Sequence, residues 1–277
     1  MSDAAAPAGA TEGAGRADTA GADVPPVVEI RHLHKRYGNV VALDDISLTI
    51  GANEVLGLIG DNGAGKSTLI KILTGVERPT SGQVFVRGDP IDFDDYGVRQ
   101  AHELGIETVY QEKSLGDKQP LWRNFFVGRN ITNRFGFIRI KEQKALAEQM
   151  LLGSIGFRGA GINVDAAAGR LSGGERQGIC IGRAMYFDAD LIVLDEPTVA
   201  LAVKEVRKVL AFIEKIKKAG RACLYVEHNL AHVHEMADRM VIIDRGRVAG
   251  QVMRGEMTVS ELTSYFLSLQ ETREAEA

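Results

Sequence analysis

The sequence predicts an α/β fold built on a mostly parallel sheet covered on both faces. Three observations carry this. The short apolar run Val55–Ile59 leads into a glycine-rich loop and then a helical pattern, the strand–loop–helix order of a phosphate-binding unit. A second apolar run, Leu191–Leu194, ends in Asp195-Glu196; continuous runs of this kind belong to strands buried on both faces. Around these, strand and helix patterns alternate, as a parallel sheet with crossover helices requires.

Each element follows in order. Met1–Ala22 is mostly Ala, Gly, Asp and Thr, too poor in large apolar side chains to offset the entropy of ordering. Segment 1–26, closed by Pro25-Pro26, is expected to be a disordered tail; it lacks the basic start and Leu-rich run of a signal peptide. Order begins near Val27, and Val27–Arg36 and Leu43–Ile50 alternate loosely as strands. After the glycine-rich loop, Leu69, Ile70, Ile72 and Leu73 mark a helix stopped by Gly75. From about Leu115 to Gly169 the pattern is mostly helical, with Leu146, Met150 and Leu151 on one face of Lys141–Ile155. This predicts an inserted helical subdomain over about 115–175. Past Leu191–Leu194, a helix carries Val206, Leu210, Ile213 and Ile216 on one face and ends at Gly220. Strands Ala222–Val226 and Met240–Ile243 follow. A single domain over 27–270 is expected, with 271–277 frayed and no internal repeat.

Composition excludes several classes. With 277 residues, 45% of them hydrophobic, the chain buries a core without disulfide or metal staples. Lys+Arg is 33 against 37 Asp+Glu, a net charge of −4, which disfavours a nucleic-acid partner. Cys180 and Cys223 sit singly in apolar stretches, so they build neither a zinc site nor a disulfide framework and read as buried thiols in a reducing cytoplasm. No run of about 18 apolar residues is present to span a membrane.

The chemistry lies in three motifs. Gly60-Asp61-Asn62-Gly63-Ala64-Gly65-Lys66-Ser67-Thr68 has the Gly-x4-Gly-Lys-Ser spacing. Its backbone N–H groups converge on β- and γ-phosphates where side chains would obstruct, and the following helix offers its positive end. Lys66 adds a charge near the β/γ oxygens and Ser67 an oxygen for Mg²⁺. A merely Gly-rich tight turn would not need this context. Asp195 and Glu196 lie at the carboxyl end of a buried strand, the edge where ligands bind in open α/β sheets. Asp195 suits Mg²⁺, through water, and Glu196 suits a general base polarising water; solvated acids ending a strand are the bland alternative. Leu171-Ser172-Gly173-Gly174-Glu175-Arg176-Gln177 forms a second anion-binding helix start, or simply a helix cap. One nucleotide does not need two such starts, so this one is expected to serve a nucleotide held by another subunit.

Leu171–Gln177 resembles the signature motif of ATP-binding cassette (ABC) proteins. The family's other pieces are present in order: Tyr37 where an aromatic stacks on adenine, Gln111 of the Q-loop, and His228 as the switch histidine. The resemblance runs from about Val27 to Leu267. It implies a P-loop NTPase fold with a RecA-like core sheet, an N-terminal antiparallel β subdomain and the inserted helical subdomain. It also implies head-to-tail pairing around two ATPs, with a second copy of the chain or another cassette. Ser172, Gly173 and Gly174 of one chain would meet the γ-phosphate bound at Lys66 of the other. Gln111 would contact Mg²⁺ and His228 would reach the γ-phosphate beside Glu196. Partners would be integral membrane permease subunits and, indirectly, an extracytoplasmic solute-binding protein, with the chain peripheral on the cytoplasmic face.

Thr198–Glu205, Trp122–Arg129 and Gly255–Leu262 are similar to stretches of monosaccharide importers of the ribose/xylose/fructose type. Three positions depart from the common pattern. Glu175 stands where Gln is usual, Ala202 where many cassettes carry Asp, and Glu227 where Ser or Thr is common before the histidine. Two other classes stay open on the sequence: a soluble ABC ATPase acting on DNA or ribosomes, and a non-hydrolysing regulatory module.

Overall fold

The computed structural model describes residues 25–109, 115–153 and 163–274. The tail expected over 1–26 lies almost wholly outside them.

The strands are β1 (Val28–Tyr37), β2 (Val40–Ile50), β3 (Val55–Ile59), β4 (Ser81–Val86), β5 (Asp89–Pro90), β6 (Ile106–Val109), β7 (Leu191–Asp195), β8 (Ala222–Val226), β9 (Arg239–Asp244) and β10 (Arg247–Met253). The helices are α1 (Lys66–Leu73), α2 (Val98–Glu103), α3 (Leu121–Phe125), α4 (Ile140–Gly153), α5 (Gly173–Tyr186), α6 (Val203–Lys218), α7 (Leu230–Met236) and α8 (Val259–Glu274). α8 runs into the 271–277 segment expected to fray.

Two sheets form. The six-stranded sheet has the order β10-β9-β3-β8-β7-β6; its pairings are parallel except β10 against β9. The four-stranded sheet, β2-β1-β4-β5, is antiparallel throughout. This is the mostly parallel core that the sequence predicts, with the antiparallel β unit that the family resemblance implies.

Alternation along the central strands divides the core in two. Val55 and Ile59 of β3, Ile192 and Leu194 of β7, and Cys223 and Tyr225 of β8 join a cluster with Phe125, Ile179, Ile213 and Val233. Leu56 and Leu58, Leu191 and Val193, and Leu224 and Val226 join a second cluster with Leu33, Ile46, Leu69 and Ile72. Helices therefore cover one face; α1 and the antiparallel sheet cover the other. A strand buried on both faces has no polar side, which is why these runs read as continuously apolar. Both cysteines are buried, and burial pushes the Cys223 thiol well above its usual range.

Among the described residues, the stretch expected to be mostly helical is less so. Helices α3 and α4 and a short 3₁₀ turn, Ala168–Arg170, account for part of it. An antiparallel bridge, Thr132 to Ile138, ties off a turn between the helices. On α4 the buried stripe is Gln143, Ala147 and Leu151, with Leu146 and Met150 only flanking it. The apolar pattern found the helix and its face, but small Ala147 and polar Gln143 occupy the closest approach.

α7 lies directly on β3 because Gly57 has no side chain: a Cβ there would stand 2.3 Å from Val233 Cγ1 and 3.1 Å from Ala237 Cβ. Gly57→Ala is expected to destabilise the fold by about 1–3 kcal/mol through overpacking, read as a lower urea midpoint at unchanged slope.

Candidate functional site

Parallel register brings three strand ends together. Val226 pairs with both Leu58 and Asp195, so the segments after β3, β7 and β8 leave the sheet at one edge. These are the phosphate loop, the paired carboxylates and the histidine turn.

The loop from Gly60 to Gly65 is shaped by close backbone contacts. A Cβ on Gly60 would lie 2.3 Å from Ile243 O, and Gly65 combines φ 111° with a Cβ position 2.7 Å from Ala42 O. Gly65 caps α1 without a side-chain hydrogen bond, which leaves the first N–H groups of the helix for an anion. Asp61, Asn62 and Gly63 are exposed, Ala64 is buried, Ser67 is exposed and Thr68 half-buried. Lys66 is only 6% exposed. Its Nζ donates to Gly60 O at 2.6 Å and Asp61 O at 3.0 Å. Burial lowers the Lys66 pKa, against the opposing pull of Glu196, Asp61, Asp195 and Glu227. Beside the loop, a cavity of about 270 Å³ is bounded by residues including Asp61, Asp244, Arg245 and Gln270. Gln270 of α8 donates to Asp61, a partner the sequence did not reveal.

Burial raises the Asp195 carboxyl above its usual range; the Glu196 charge adds to this and Lys66 opposes it. Glu196 has φ 47°, a left-handed conformation rare outside glycine that concentrates at functional sites. Its N–H donates to Val226 O at 2.9 Å. From this turn Glu196 Oε1 stands 3.3 Å from His228 Nδ1, on a histidine side chain 54% exposed. Lys66, Asp195, Glu196 and His228 thus converge at one sheet edge.

Ser172, Gly173 and Gly174 belong to a different neighbourhood. Ser172 caps α5: its Oγ accepts from Glu175 N–H at 3.3 Å, and Glu175 Oε2 accepts from Ser172 N–H at 2.9 Å. This reciprocal capping box gives Glu175 its local role. A Cβ on Gly173 would fall 2.5 Å from Leu201 Cδ2, and one on Gly174 2.9 Å from Glu205 Cβ. Close packing on Glu205 of α6 therefore already demands Gly174, while Gly173 meets the tip of the Leu201 side chain. Hydrogen bonds from the Ser172 side chain and from the Gly174 and Ala202 N–H groups hold the Glu205 carboxyl below its usual range. The structure does not bring these residues to the phosphate loop of the same chain; their partners are Glu175, Leu201 and Glu205.

Tyr37 ends β1 and is 41% exposed, with Lys35 Nζ 4.7 Å from its ring centre. Gln111 lies outside the described residues. Among the described residues no group of three or more His, Cys, Asp or Glu is placed to hold a metal ion, and no helix is long and apolar enough to cross a membrane.

Residues 43–199 match the family described as ABC transporter. The chain belongs to the ABC transporter family. It is an ATP-binding ATPase. It is 41% identical over 87% of its length to the xylose/arabinose import ATP-binding protein XylG of Sulfolobus acidocaldarius, covering 94% of that protein. It is 36% identical over 89% of its length to the fructose import ATP-binding protein FrcA of Rhizobium meliloti, covering 95% of it. In fold it matches MJ1267, an ATP-binding cassette of an ABC transporter, at a TM-score of 0.76 and 23% identity, over 88% of this chain and 98% of that one.

The tight seating of Gly65 against Ala42 sets an expectation. Gly65→Ala should weaken ATP binding at least about tenfold, some 1.4 kcal/mol, in titrations with a fluorescent ATP analogue, with the melting transition still cooperative.

Proposed function

We propose that this ABC transporter ATPase drives uptake of a monosaccharide. It works as a head-to-tail pair, with a second copy or another cassette, beneath a separate membrane permease on the cytoplasmic face. The observation that carries the hydrolytic reading is the 3.3 Å approach of His228 Nδ1 to Glu196 Oε1 on the edge that also presents Lys66. The sugar reading rests on the import proteins to which the chain is similar over most of its length. An extracytoplasmic binding protein delivers the solute to the permease.

Each residue then has a task. The N–H groups of Gly60–Gly65 and the start of α1 bind the phosphates, with Lys66 at the β/γ oxygens. Tyr37 offers an exposed ring for the adenine. Glu196 accepts a proton from the attacking water, and His228 contacts the γ-phosphate beside it. Ser172, Gly173 and Gly174 of the partner subunit close over the γ-phosphate, and Gln111 links the site to the helical subdomain. Ser67 and Asp195 offer a hydroxyl and a carboxylate, hard oxygen donors that fit Mg²⁺; that ion, when bound, neutralises charge on the phosphates.

ATP contacts made by both subunits favour the closed pair, and hydrolysis releases it. Glu196→Gln is expected to cut ATP turnover at least about 100-fold while ATP binding persists, so the closed dimer accumulates. A pull-down of this variant with Mg-ATP from native membranes should recover a multi-span permease. Recovery of ribosomal or DNA-repair proteins without a permease would replace transport with a soluble role.

A further inference from the structure

Glu227 is the buried group the proposed reaction does not use. It is 1% exposed, and His228 Nδ1 stands 3.8 Å from its Oε1, beyond hydrogen-bond distance. Its charge is met by three donors instead. Oε1 accepts the N–H of His228 at 3.0 Å and of Asn229 at 3.4 Å. Oε2 accepts the hydroxyl of Thr198. Thr198 also lies 3.4 Å from His232 Nδ1 on α7.

These contacts join two separate loops. Thr198 belongs to the turn that begins with Glu196 in its left-handed conformation, and His228 to the turn after β8. The bond from Glu196 N–H to Val226 O ties the turns on the sheet side, and Glu227 ties them on the other. Asn229 holds the far end, its Oδ1 accepting the N–H groups of Ala231 and His232. The His228 side chain is largely solvent-exposed, so packing does not fix it. Its position depends on its backbone, which Glu227 holds through the N–H groups of His228 and Asn229, and on the two carboxylates beside its ring.

We propose that Glu227 is a positioning residue for ATP hydrolysis. It clamps the histidine turn to the Glu196 turn and so maintains the approach of His228 to Glu196. This rests on the proposed role of His228. A serine or threonine at this position would be too short to meet both turns at once. A buried carboxylate is costly to hold, and its three hydrogen bonds offset that cost only while both turns keep this arrangement.

The test is steady-state ATP hydrolysis by the full chain, with thermal melting as a check on folding. Glu227→Ala should lower kcat at least about tenfold and leave the KM for ATP within about twofold, the pattern of an interaction needed only in the transition state. Glu227→Gln should recover kcat to within about threefold, because the amide oxygen accepts both N–H groups and the amide N–H₂ donates to the Thr198 hydroxyl. In a His228→Ala background, Glu227→Ala should cost almost nothing further, the non-additivity expected of groups that act together. An undiminished effect in that background, or a Glu227→Gln variant as slow as Glu227→Ala, overturns the proposal. Native kcat in Glu227→Ala with a slow His228→Ala overturns the clamp alone. Native kcat in His228→Ala overturns the role of His228 and the clamp with it. If Glu227→Ala does not fold, Thr198→Val removes one arm of the clamp at constant volume. A several-fold fall in kcat that vanishes in the His228→Ala background is then expected, and native kcat overturns the proposal.

Discussion

The parallel register of β3, β8 and β7 is the constraint on which the site depends. Leu58, Val226 and Asp195 stand level across three neighbouring strands. Whatever follows each strand must therefore leave the sheet within about 10 Å of the others, two strand spacings at most. The chain spends this coincidence on chemistry: Gly60–Lys66 after β3, Asp195-Glu196 after β7 and Glu227-His228 after β8. Antiparallel pairing would send alternate ends to opposite edges and divide the lysine from the carboxylates. The helices that cover the sheet are thus part of the site's construction, since parallel strands need crossovers.

Small residues serve this edge in two ways. At Gly60 and Gly65 the space belongs to neighbouring backbone, Ile243 O and Ala42 O, so the phosphate loop is moulded against the antiparallel unit and β9 before any ligand arrives. At Gly173 and Gly174 the space belongs to Leu201 and Glu205. Those glycines bind α5 to the segment that follows Glu196. A motif assigned to a partner's nucleotide is therefore mechanically joined to its own chain's carboxylate turn.

Much of this was legible in the sequence, for a physical reason. The central strands are apolar throughout because both faces are buried, and the linear motifs sit where those strands end. Lys66, Asp195 and Glu196 stand out in this way, His228 through the family resemblance, and the four converge. The peripheral elements were harder to see. β10 buries only Val252 fully and β4 buries only Val84 and Val86, so neither shows a strong period. Among the described residues of 115–169 the helical content is lower than the pattern suggests, because the turn bridged by Thr132 and Ile138 also carries apolar residues. Three pairings stayed invisible: Gln270 with Asp61, Glu205 with Gly174, and Thr198 with Glu227. Each depends on how distant segments return to one place, and no local pattern encodes that.

Charge at the sheet edge completes the argument. Lys66 faces Asp195, Glu196, Asp61 and Glu227, so the buried side of the site holds more acid than base. A triphosphate adds negative charge to this surplus. The uncapped start of α1 supplies about half a positive charge, which does not balance the acids and the phosphates together. Ser67 and Asp195 would hold a Mg²⁺ that would supply what is missing, and burial together with the Glu196 charge raises the Asp195 carboxyl in the absence of such a cation. Glu227 also has local partners of its own: its carboxylate accepts two backbone N–H groups and a hydroxyl. The acids of the edge thus divide by partner, with Asp195 placed for a cation, Glu196 beside His228 and Glu227 turned inward to the backbone that carries that histidine.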